Sequence, residues 1–322
     1  MNTINWLVAG IGDIARRRVL PAILAEPRST LYGIVTRTPA KAAAYPGARV
    51  FATVEEAVCD SAGDSAGDSA IDAVYIALPV VMHAPAAIAA LRAGKHVLCE
   101  KPMAMNETEA AQMVAEARAA GRLLGAAYYR RLYPKLIRTK ELIAAGAIGR
   151  PVLAEANCHS WLNVTDREWL LNPKMAGGGP LYDIASHRID AMHFLFGRAE
   201  RVHGMLSNTV HSLDVEDSAT VMVGFANGVH GVVDVRWNSQ IGRDQFRIVG
   251  TEGEINLDPL NGPELRVRLG TSELVETLPP HDNFHFPLVA NFVDAVLAGD
   301  PERLACPGEE ARWADWVIGQ AR

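Results

Sequence analysis

Two side chains that can exchange protons stand four residues apart in the segment GGGPLYDIASHRIDAMHFLFG, residues 177–197. The spacing places Asp183 and His187 one turn apart on a predicted helix, away from its apolar stripe. A histidine titrates near neutral pH and a neighbouring carboxylate tunes it, so the pair suits general acid–base chemistry. A local hydrogen bond within the helix explains the spacing equally well. No further ligand stands at suitable spacing, and we therefore predict no metal here.

A lysine lies in a second charged segment, HVLCEKPMA, residues 96–104. The apolar run predicts a short buried strand, which ends in Glu100, Lys101 and Pro102. Charged residues and proline are common where strands reach the surface. These three residues alone therefore do not predict a function.

A glycine loop with anion-binding potential lies in VAGIGDIARR, where Gly10, Gly12 and Ala15 have G-x-G-x-x-A spacing between a predicted strand and a predicted helix. The first glycine permits a tight turn, the second lets the backbone approach a pyrophosphate, and the third position keeps helix and strand close. Phosphates then lie at the helix N-terminus, beside Asp13 and Ile14. We therefore predict a dinucleotide site formed by these five residues.

The residues after the second predicted strand bear on the choice of dinucleotide. NAD enzymes place an acid about 20 residues beyond the glycine loop, where it binds the adenosine ribose. Thr36 occupies that position here, with Arg37 next to it and Lys41 nearby. Two cations and no acid favour the 2'-phosphate of NADP over NAD. Alternatively, Arg37 only stacks on adenine and both nucleotides are accepted.

The elements that must position these residues change character along the chain. Up to about residue 125, strand-length apolar runs at 5–11, 30–36, 71–78, 95–100 and 122–128 alternate with helical patterns, which predicts a parallel sheet covered by helices. Thr53 with Glu56, and Asn106 with Glu109, have the spacing of helix caps. From about residue 150, strand-like runs follow one another across short turns, and a last helix is predicted at 284–298. We expect an α/β dinucleotide-binding domain at 1–125 and an α+β domain with a mostly antiparallel sheet at 126–322.

Composition excludes several classes of partner. The 322 residues are 49% hydrophobic and 21% charged, with a net charge of -6 and a pI near 5.9, so we expect no binding to nucleic acid or to an anionic membrane surface. The chain begins without a signal-peptide pattern and has no long apolar run, which predicts a cytoplasmic protein. Four scattered cysteines predict buried thiols rather than zinc ligands or disulfides. The repeat DSAGDSAGDSA, residues 60–70, predicts a flexible surface loop.

The chain resembles the glucose-fructose oxidoreductase, inositol dehydrogenase and rhizopine-catabolism (Gfo/Idh/MocA) oxidoreductases over nearly its whole length. The resemblance rests on AGIGDIA, IALPVVMHAPAAIAALRAGKHVLCEKPMA, YYRRLYPKLIRTKELIAAGAIGRPV, GGGPLYDIASHRIDAMHFLFG and NFVDAVLAGDP, in this order. It implies an N-terminal Rossmann domain followed by a domain with an open sheet, whose face often buries a subunit interface. A homo-oligomer, dimer or tetramer, is therefore expected.

The resemblance also implies roles for the charged residues. The E-K-P turn lies at the carboxyl edge of the parallel sheet in similar proteins, where open α/β sheets bind ligands. Lys101 would hydrogen-bond the reacting oxygen of the substrate, while Glu100 helps to hold the turn beside the cofactor. Asp183 and His187 match the D-x-x-x-H pair of the family. In this reading His187 donates or removes the proton and Asp183 orients the histidine or substrate hydroxyls.

Further site residues follow from the same resemblance. Leu78, Pro79 and His83 match the segment beside the nicotinamide, where Val80 replaces the usual asparagine. The substrate would contact Lys101, Asp183 and His187, together with residues from two other segments: the pair Arg130 and Arg131, and Trp161. Tyr182, His281 and His285 are further candidates for lining a sugar pocket.

The predicted activity is hydride transfer between NADP(H), with NAD possible, and a hydroxyl or carbonyl carbon of a sugar, polyol or related compound. Two alternatives use the same fold. One is a redox-neutral NAD-dependent glycoside hydrolase, which keeps its cofactor bound and does not consume it. The other is a non-catalytic NAD(P) sensor, but the presence of Lys101, Asp183 and His187 argues against a sensor.

Overall fold

The computed structural model describes residues 3–59, 70–163 and 167–322. The loop predicted at 60–70 lies outside these residues, apart from Ala70. The chain divides into two compact units, the first formed by Met1–Tyr129 and Asn283–Arg312, the second by Arg130–Asp282 and Trp313–Arg322. The predicted division into 1–125 and 126–322 did not place a C-terminal segment in the first unit. The segment joins it because Phe292 packs against Trp6, with ring centroids 5.4 Å apart.

The first unit contains a six-stranded parallel sheet in the order β3-β2-β1-β4-β5-β6. Its strands are β1 (Ile4–Ala9), β2 (Ser29–Val35), β3 (Arg49–Phe51), β4 (Ala73–Ile76), β5 (His96–Cys99) and β6 (Leu124–Ala126). This order is that of a Rossmann fold. The four residues of β4 are all buried, as expected for a central strand covered on both faces. The parallel sheet predicted from the apolar runs is thus confirmed, while the short β3 was not predicted.

The second unit contains an eight-stranded sheet in the order β14-β13-β12-β11-β7-β10-β9-β8. Its strands are β7 (Pro151–Trp161), β8 (Ala199–Ser207), β9 (Ser218–Phe225), β10 (His230–Arg236), β11 (Asn238–Gly250), β12 (Glu254–Asn256), β13 (Glu264–Leu269) and β14 (Ser272–Thr277). All neighbouring pairs are antiparallel except β7 with β10. The prediction of a mostly antiparallel sheet is therefore confirmed.

Two of the helices begin at N-caps predicted from the sequence, and the last predicted helix ends at its glycine. The helices are, in chain order, α1 (Leu20–Ala25), α2 (Val54–Val58), α3 (His83–Arg92), α4 (Glu107–Ala120), α5 (Pro134–Ala144), α6 (Pro173–Ala176), α7 (Ser186–Phe196), α8 (Phe286–Ala298) and α9 (Gly308–Gln320). The side chains of Thr53 and Asn106 accept hydrogen bonds from the backbone N–H groups three residues later, at 3.1 and 3.0 Å. Gly299 ends α8 in the left-handed conformation. Both predicted N-caps and the predicted end of α8 are confirmed.

The two faces of the second sheet differ in polarity. Val221, Val233, Ala156 and Phe246 form one buried row across four neighbouring strands, and α5 and α7 pack on this face. The other face carries a network around Asp234, which accepts hydrogen bonds from Thr220 and Arg236. Apolar side chains are also exposed there, for example Met222 at 54%.

The cysteines are less uniformly buried than the sequence predicts. Cys99 and Cys306 are buried, Cys158 is half-buried and Cys59 is exposed. Cys59 is exposed because it directly follows the last turn of α2. No helix of the described residues is long and apolar enough to cross a membrane.

Candidate functional site

The glycine loop has the backbone geometry of a phosphate-binding turn. Gly10 follows β1 with a φ of +98°, and a Cβ atom there would lie 2.4 Å from the carbonyl oxygen of Ala77. A side chain at Gly12 would enter open space, which leaves the backbone accessible. The helical turn then begins, with the N–H of Arg16 bonded to the oxygen of Gly12 at 3.1 Å. Free N–H groups at such a helix start fit the pyrophosphate of a dinucleotide.

The residues predicted to bind the ribose lie at the carboxyl end of the adjacent strand. Ala9 and Val35 are partners in the register of β1 and β2, so Gly10 and Thr36 lie at the same edge of the sheet. The hydroxyl of Thr36 accepts a hydrogen bond from the N–H of Thr38 at 3.1 Å and shapes the turn. Arg37 and Lys41 are exposed at this edge and fit a 2'-phosphate.

His83 links the loops that follow β4 and β5. Its ring lies 3.0 Å from the oxygen of Pro102 through Nδ1 and 2.8 Å from the oxygen of Leu78 through Nε2. The ring is 1% exposed, and burial lowers the pKa of His83 although the two carbonyls oppose this shift. The residue was predicted to bind the cofactor. Its buried contacts instead favour a role in holding Leu78 and Pro79 against the E-K-P turn.

Glu100 is the buried centre of the E-K-P turn. Its Oε1 accepts a hydrogen bond from the hydroxyl of Tyr75 at 2.8 Å and lies 3.1 Å from Nε2 of His285. The N–H of Lys101 lies 3.3 Å from Oε2. Burial raises the pKa of Glu100, but the hydrogen bond and charge of His285, with Lys101 and Tyr75, bring it below its usual value. The carboxylate is therefore ionised at neutral pH.

His285, named above as a candidate for lining a sugar pocket, is a buried partner of Glu100. Its side chain is fully buried and contacts Glu100 through Nε2. Its ring packs against Tyr129 and Phe284, with centroids 5.1 Å away in both cases. A chain segment 185 residues from Glu100 thus completes the environment of the turn. Sequence analysis missed this contact because no local spacing relates the two residues.

The acid–base pair lies on a helix in the second unit, and the start of that helix is unusual. A π-helical turn, Leu181–Ala185, carries Asp183 and leads into α7, which carries His187. The predicted apolar stripe of this helix is buried, as Ile189 and Met192 illustrate. The sequence predicts a regular helix here, and the wider turn was not predicted. Such turns are frequent at functional sites.

The carboxylate of Glu216, which lies shortly before β9, caps the start of this helix. Oε1 of Glu216 accepts hydrogen bonds from the N–H groups of Gly179 and Leu181 at 2.8 and 3.1 Å. A Cβ atom at Gly179 would lie 2.0 Å from the backbone oxygen of Glu216, so only glycine fits. The triple-glycine loop therefore brings the start of the acid–base helix against Glu216. Sequence analysis did not predict a role for Glu216, because an acidic residue shortly before a strand is too common a pattern to indicate a contact with a distant loop.

The predicted substrate residues Arg130 and Arg131 have well-defined partners. Arg131 binds Asp190 of α7 through Nε and Nη2, and both side chains are 2% exposed. This buried, forked ion pair favours a structural role for Arg131 in holding α7. Arg130 donates to the side-chain oxygen of Asn261 at 2.9 and 3.2 Å.

The aromatic candidates of the second unit divide into one exposed and one buried residue. Trp161 ends β7 and is 46% exposed, and its ring contacts His211 edge-on with centroids 4.7 Å apart. Tyr182 is buried, and its hydroxyl accepts a hydrogen bond from Arg322 at 3.3 Å. His281 is exposed. A contact between Trp161 and a substrate stays a prediction.

Asp244 is a hydrogen-bonded carboxylate beside a cavity of the second unit, and sequence analysis did not single it out. It binds Nη2 of Arg188 at 2.7 Å and accepts hydrogen bonds from the backbone and side chain of Asn261. A cavity of about 540 Å³ lies beside it, lined by Gly242, Arg243, Asp244, Gln245, Asp258 and Pro259. Within residues 3–59, 70–163 and 167–322, no three His, Cys, Asp or Glu side chains group as metal ligands.

Comparisons with known proteins agree with this geometry. Residues 4–128 match the family described as the oxidoreductase family with an NAD-binding Rossmann fold, and residues 136–256 match the GFO/IDH/MocA C-terminal domain. A 1,5-anhydro-D-fructose reductase from Ensifer adhaerens is 31% identical over 96% of this chain and 92% of its own.

Solved structures share the fold. A 3-ketoreductase from Actinomadura kijaniata in complex with NADP and TDP-benzene has a TM-score of 0.85 and 25% identity, covering 99% of this chain and 96% of its own. A levoglucosan dehydrogenase in complex with NADH has a TM-score of 0.87 and 23% identity, covering 99% and 96%. The two complexes hold different nicotinamide nucleotides on one fold.

Proposed function

Because the chain belongs to the Gfo/Idh/MocA oxidoreductase family, we propose that it transfers a hydride between NADP(H) and a hydroxyl or carbonyl carbon of a sugar, polyol or related compound. The observation that carries the proposal is the position of Lys101 at the carboxyl end of β5, beside the ionised Glu100. Ligands of open α/β sheets bind at this edge. The resemblance to a sugar reductase supports the substrate class.

The roles of the side chains follow from the movement of charge. A nicotinamide cofactor, when bound, would supply or accept the hydride. During reduction, negative charge grows on the substrate oxygen, and the ammonium group of Lys101 stabilises it. His187 donates the proton to that oxygen and removes it in the reverse direction, while Asp183 orients the histidine or substrate hydroxyls. Trp161 and Arg130 are proposed to bind the rest of the substrate.

The preference for NADP is a finer part of the proposal. Arg37 and Lys41 are exposed at the edge that carries the glycine loop, and no acid occupies the position of Thr36. A 2'-phosphate is a dianion that two cations can bind, whereas the ribose hydroxyl of NAD needs an acceptor. Because the fold of this family binds either nucleotide, we expect the preference for NADP to depend on these few residues.

The experiment that tests the proposal is oxidation of NADPH and NADH, side by side, with aldoses, ketoses, inososes and anhydroketoses. Reduction of a carbonyl sugar with NADPH preferred is the expected result. Binding of nucleotide without consumption would contradict the proposal and favour the redox-neutral hydrolase or the sensor. Release of free sugar from a glycoside would separate these two. A dimer or tetramer remains a prediction, which sedimentation at several protein concentrations tests.

A further inference from the structure

Lys101 follows a carboxylate that two distant side chains hold in place. Glu100 is 7% exposed, and an ionised carboxylate is costly to bury unless donors compensate for lost water. Tyr75 of β4 and His285 before α8 both contact Oε1, at 2.8 and 3.1 Å. Because a carboxylate only accepts, Nε2 of His285 is the donor in this contact.

His285 has little freedom to leave this position. Its ring is fully buried between Tyr129 and Phe284. The N–H of its backbone is bonded to the side chain of Asn283 at 3.1 Å, and the side chain of Asn283 in turn donates to the oxygen of Arg18 at 2.9 Å. The orientation of the imidazole, and with it that of Glu100, is therefore set by the packing of the first unit.

The other side of Lys101 is also held. The carbonyl of Pro102 lies 3.0 Å from Nδ1 of His83, whose ring is buried. Glu100 and Pro102, the two neighbours of Lys101, thus each contact a buried histidine. Because the backbone is anchored on both sides of Lys101, the position of its Cα atom is restricted. The carboxylate of Glu100 adds a negative charge at a fixed position beside the lysine.

We propose that His285 and Tyr75 are positioning residues for the reaction, and that they act through Glu100 on Lys101. The inference rests on the proposed function, in which the ammonium group of Lys101 stabilises charge on the reacting oxygen. An electrostatic catalyst works only when it is already oriented before charge develops, because reorientation during the reaction adds to the barrier. Loosening Glu100 therefore lowers turnover without removing any group that touches the substrate.

Replacement of His285 by leucine and by glutamine separates this role from a purely structural one. Leucine removes the donor, whereas glutamine keeps an N–H near the position of Nε2. We expect His285→Leu to lower kcat about 10-fold while KM for NADPH stays within about twofold, and His285→Gln to recover most of the lost kcat. A structural role alone would lower the unfolding temperature of both variants and leave kcat unchanged below it. His230→Leu, at an exposed position of β10, is the matched control.

A second variant and a second measurement keep the test decisive. Tyr75→Phe removes the other donor to Glu100, and it should lower kcat in the same direction if His285→Leu does not fold. The second measurement is the rate at which an amine-reactive reagent acylates Lys101, followed by mass spectrometry with the exposed Lys174 as the internal reference. This measurement needs no substrate. Loss of a donor loosens Glu100 and the turn that carries Lys101, so Lys101 should react at least threefold faster in His285→Leu.

The outcomes distinguish the inference from the proposed function. If the wild-type protein consumes no nucleotide but Lys101 reacts faster in His285→Leu and not in His285→Gln, the proposed function fails and the positioning of Lys101 by His285 stands. Equal kcat and equal acylation in the wild type and both variants would overturn the inference while leaving the function intact.

Discussion

Replacement of His193 by leucine should reduce the loss in free energy of unfolding that this protein undergoes as the pH falls. His193 lies on α7 with 8% of its surface exposed, and neither ring nitrogen has a hydrogen-bond partner among the described residues. Burial, together with the positive charges of Arg131 and Arg198, lowers the pKa of His193 to about 3. The folded protein therefore keeps the ring neutral, whereas the unfolded chain protonates it below its ordinary pKa of about 6.5.

The sign and size of the effect follow from proton linkage. Between pH 6.5 and 3 the unfolded state binds more protons, so the free energy of unfolding falls as the pH falls through this window. From pH 7 to pH 5 the loss due to His193 is about 2 kcal/mol, since each unit of pKa difference corresponds to about 1.4 kcal/mol. The leucine variant lacks this loss, and at pH 7 it should be at least as stable as the wild type because two unsatisfied polar atoms are gone.

Urea unfolding at pH 7, 6 and 5, followed by tryptophan fluorescence, measures the difference. The wild type should lose about 2 kcal/mol more than His193→Leu between pH 7 and 5. His203→Gln, at an exposed position of β8, is the control and should behave as the wild type, because an exposed ring is hydrated in both states. A difference below about 0.5 kcal/mol would refute the reasoning, since the folded protein would then bind the proton at His193.

Three further substitutions test the site. Lys101→Met should reduce kcat about 100-fold while nucleotide affinity stays nearly the same, as single-turnover rates and nucleotide titration would show; lost affinity with normal turnover would contradict the assigned role. Arg37→Ala should raise the Kd for NADPH much more than that for NADH, and equal effects on both would exclude a contact with the 2'-phosphate. Gly10→Ala should abolish nucleotide binding in the folded protein, because its Cβ would lie 2.4 Å from the oxygen of Ala77 at a φ of +98°; retained binding in titration calorimetry would show that the loop can move.

Local chemistry explains which features could be predicted. The caps at Thr53 and Asn106 depend on residues three positions apart, and the glycine loop depends on five residues within six consecutive positions. The parallel sheet follows from apolar runs that each form one buried strand. These features need no knowledge of distant contacts, and each was predicted with nearly the observed bounds.

The same logic explains what was missed in the second unit. The spacing of Asp183 and His187 indicates one helix face, but not the π-helical turn that carries Asp183. That turn follows a glycine loop packed against Glu216, which lies 37 residues from Gly179. Arg131 was expected to contact substrate because its charge is visible in the sequence, whereas its buried partner Asp190 is 59 residues away.

The sequence by itself determined the fold class, the nucleotide loop and the identity of the charged residues, because these depend on composition and short-range spacing. Only the tertiary structure decided how those charges are held. Glu100 and His285 are 185 residues apart in the chain, and their contact exists because α8 packs on the first unit's sheet through Phe292 and Trp6. A buried carboxylate takes its ionisation and orientation from whatever donors the fold brings to it, and such long-range packing leaves no local pattern.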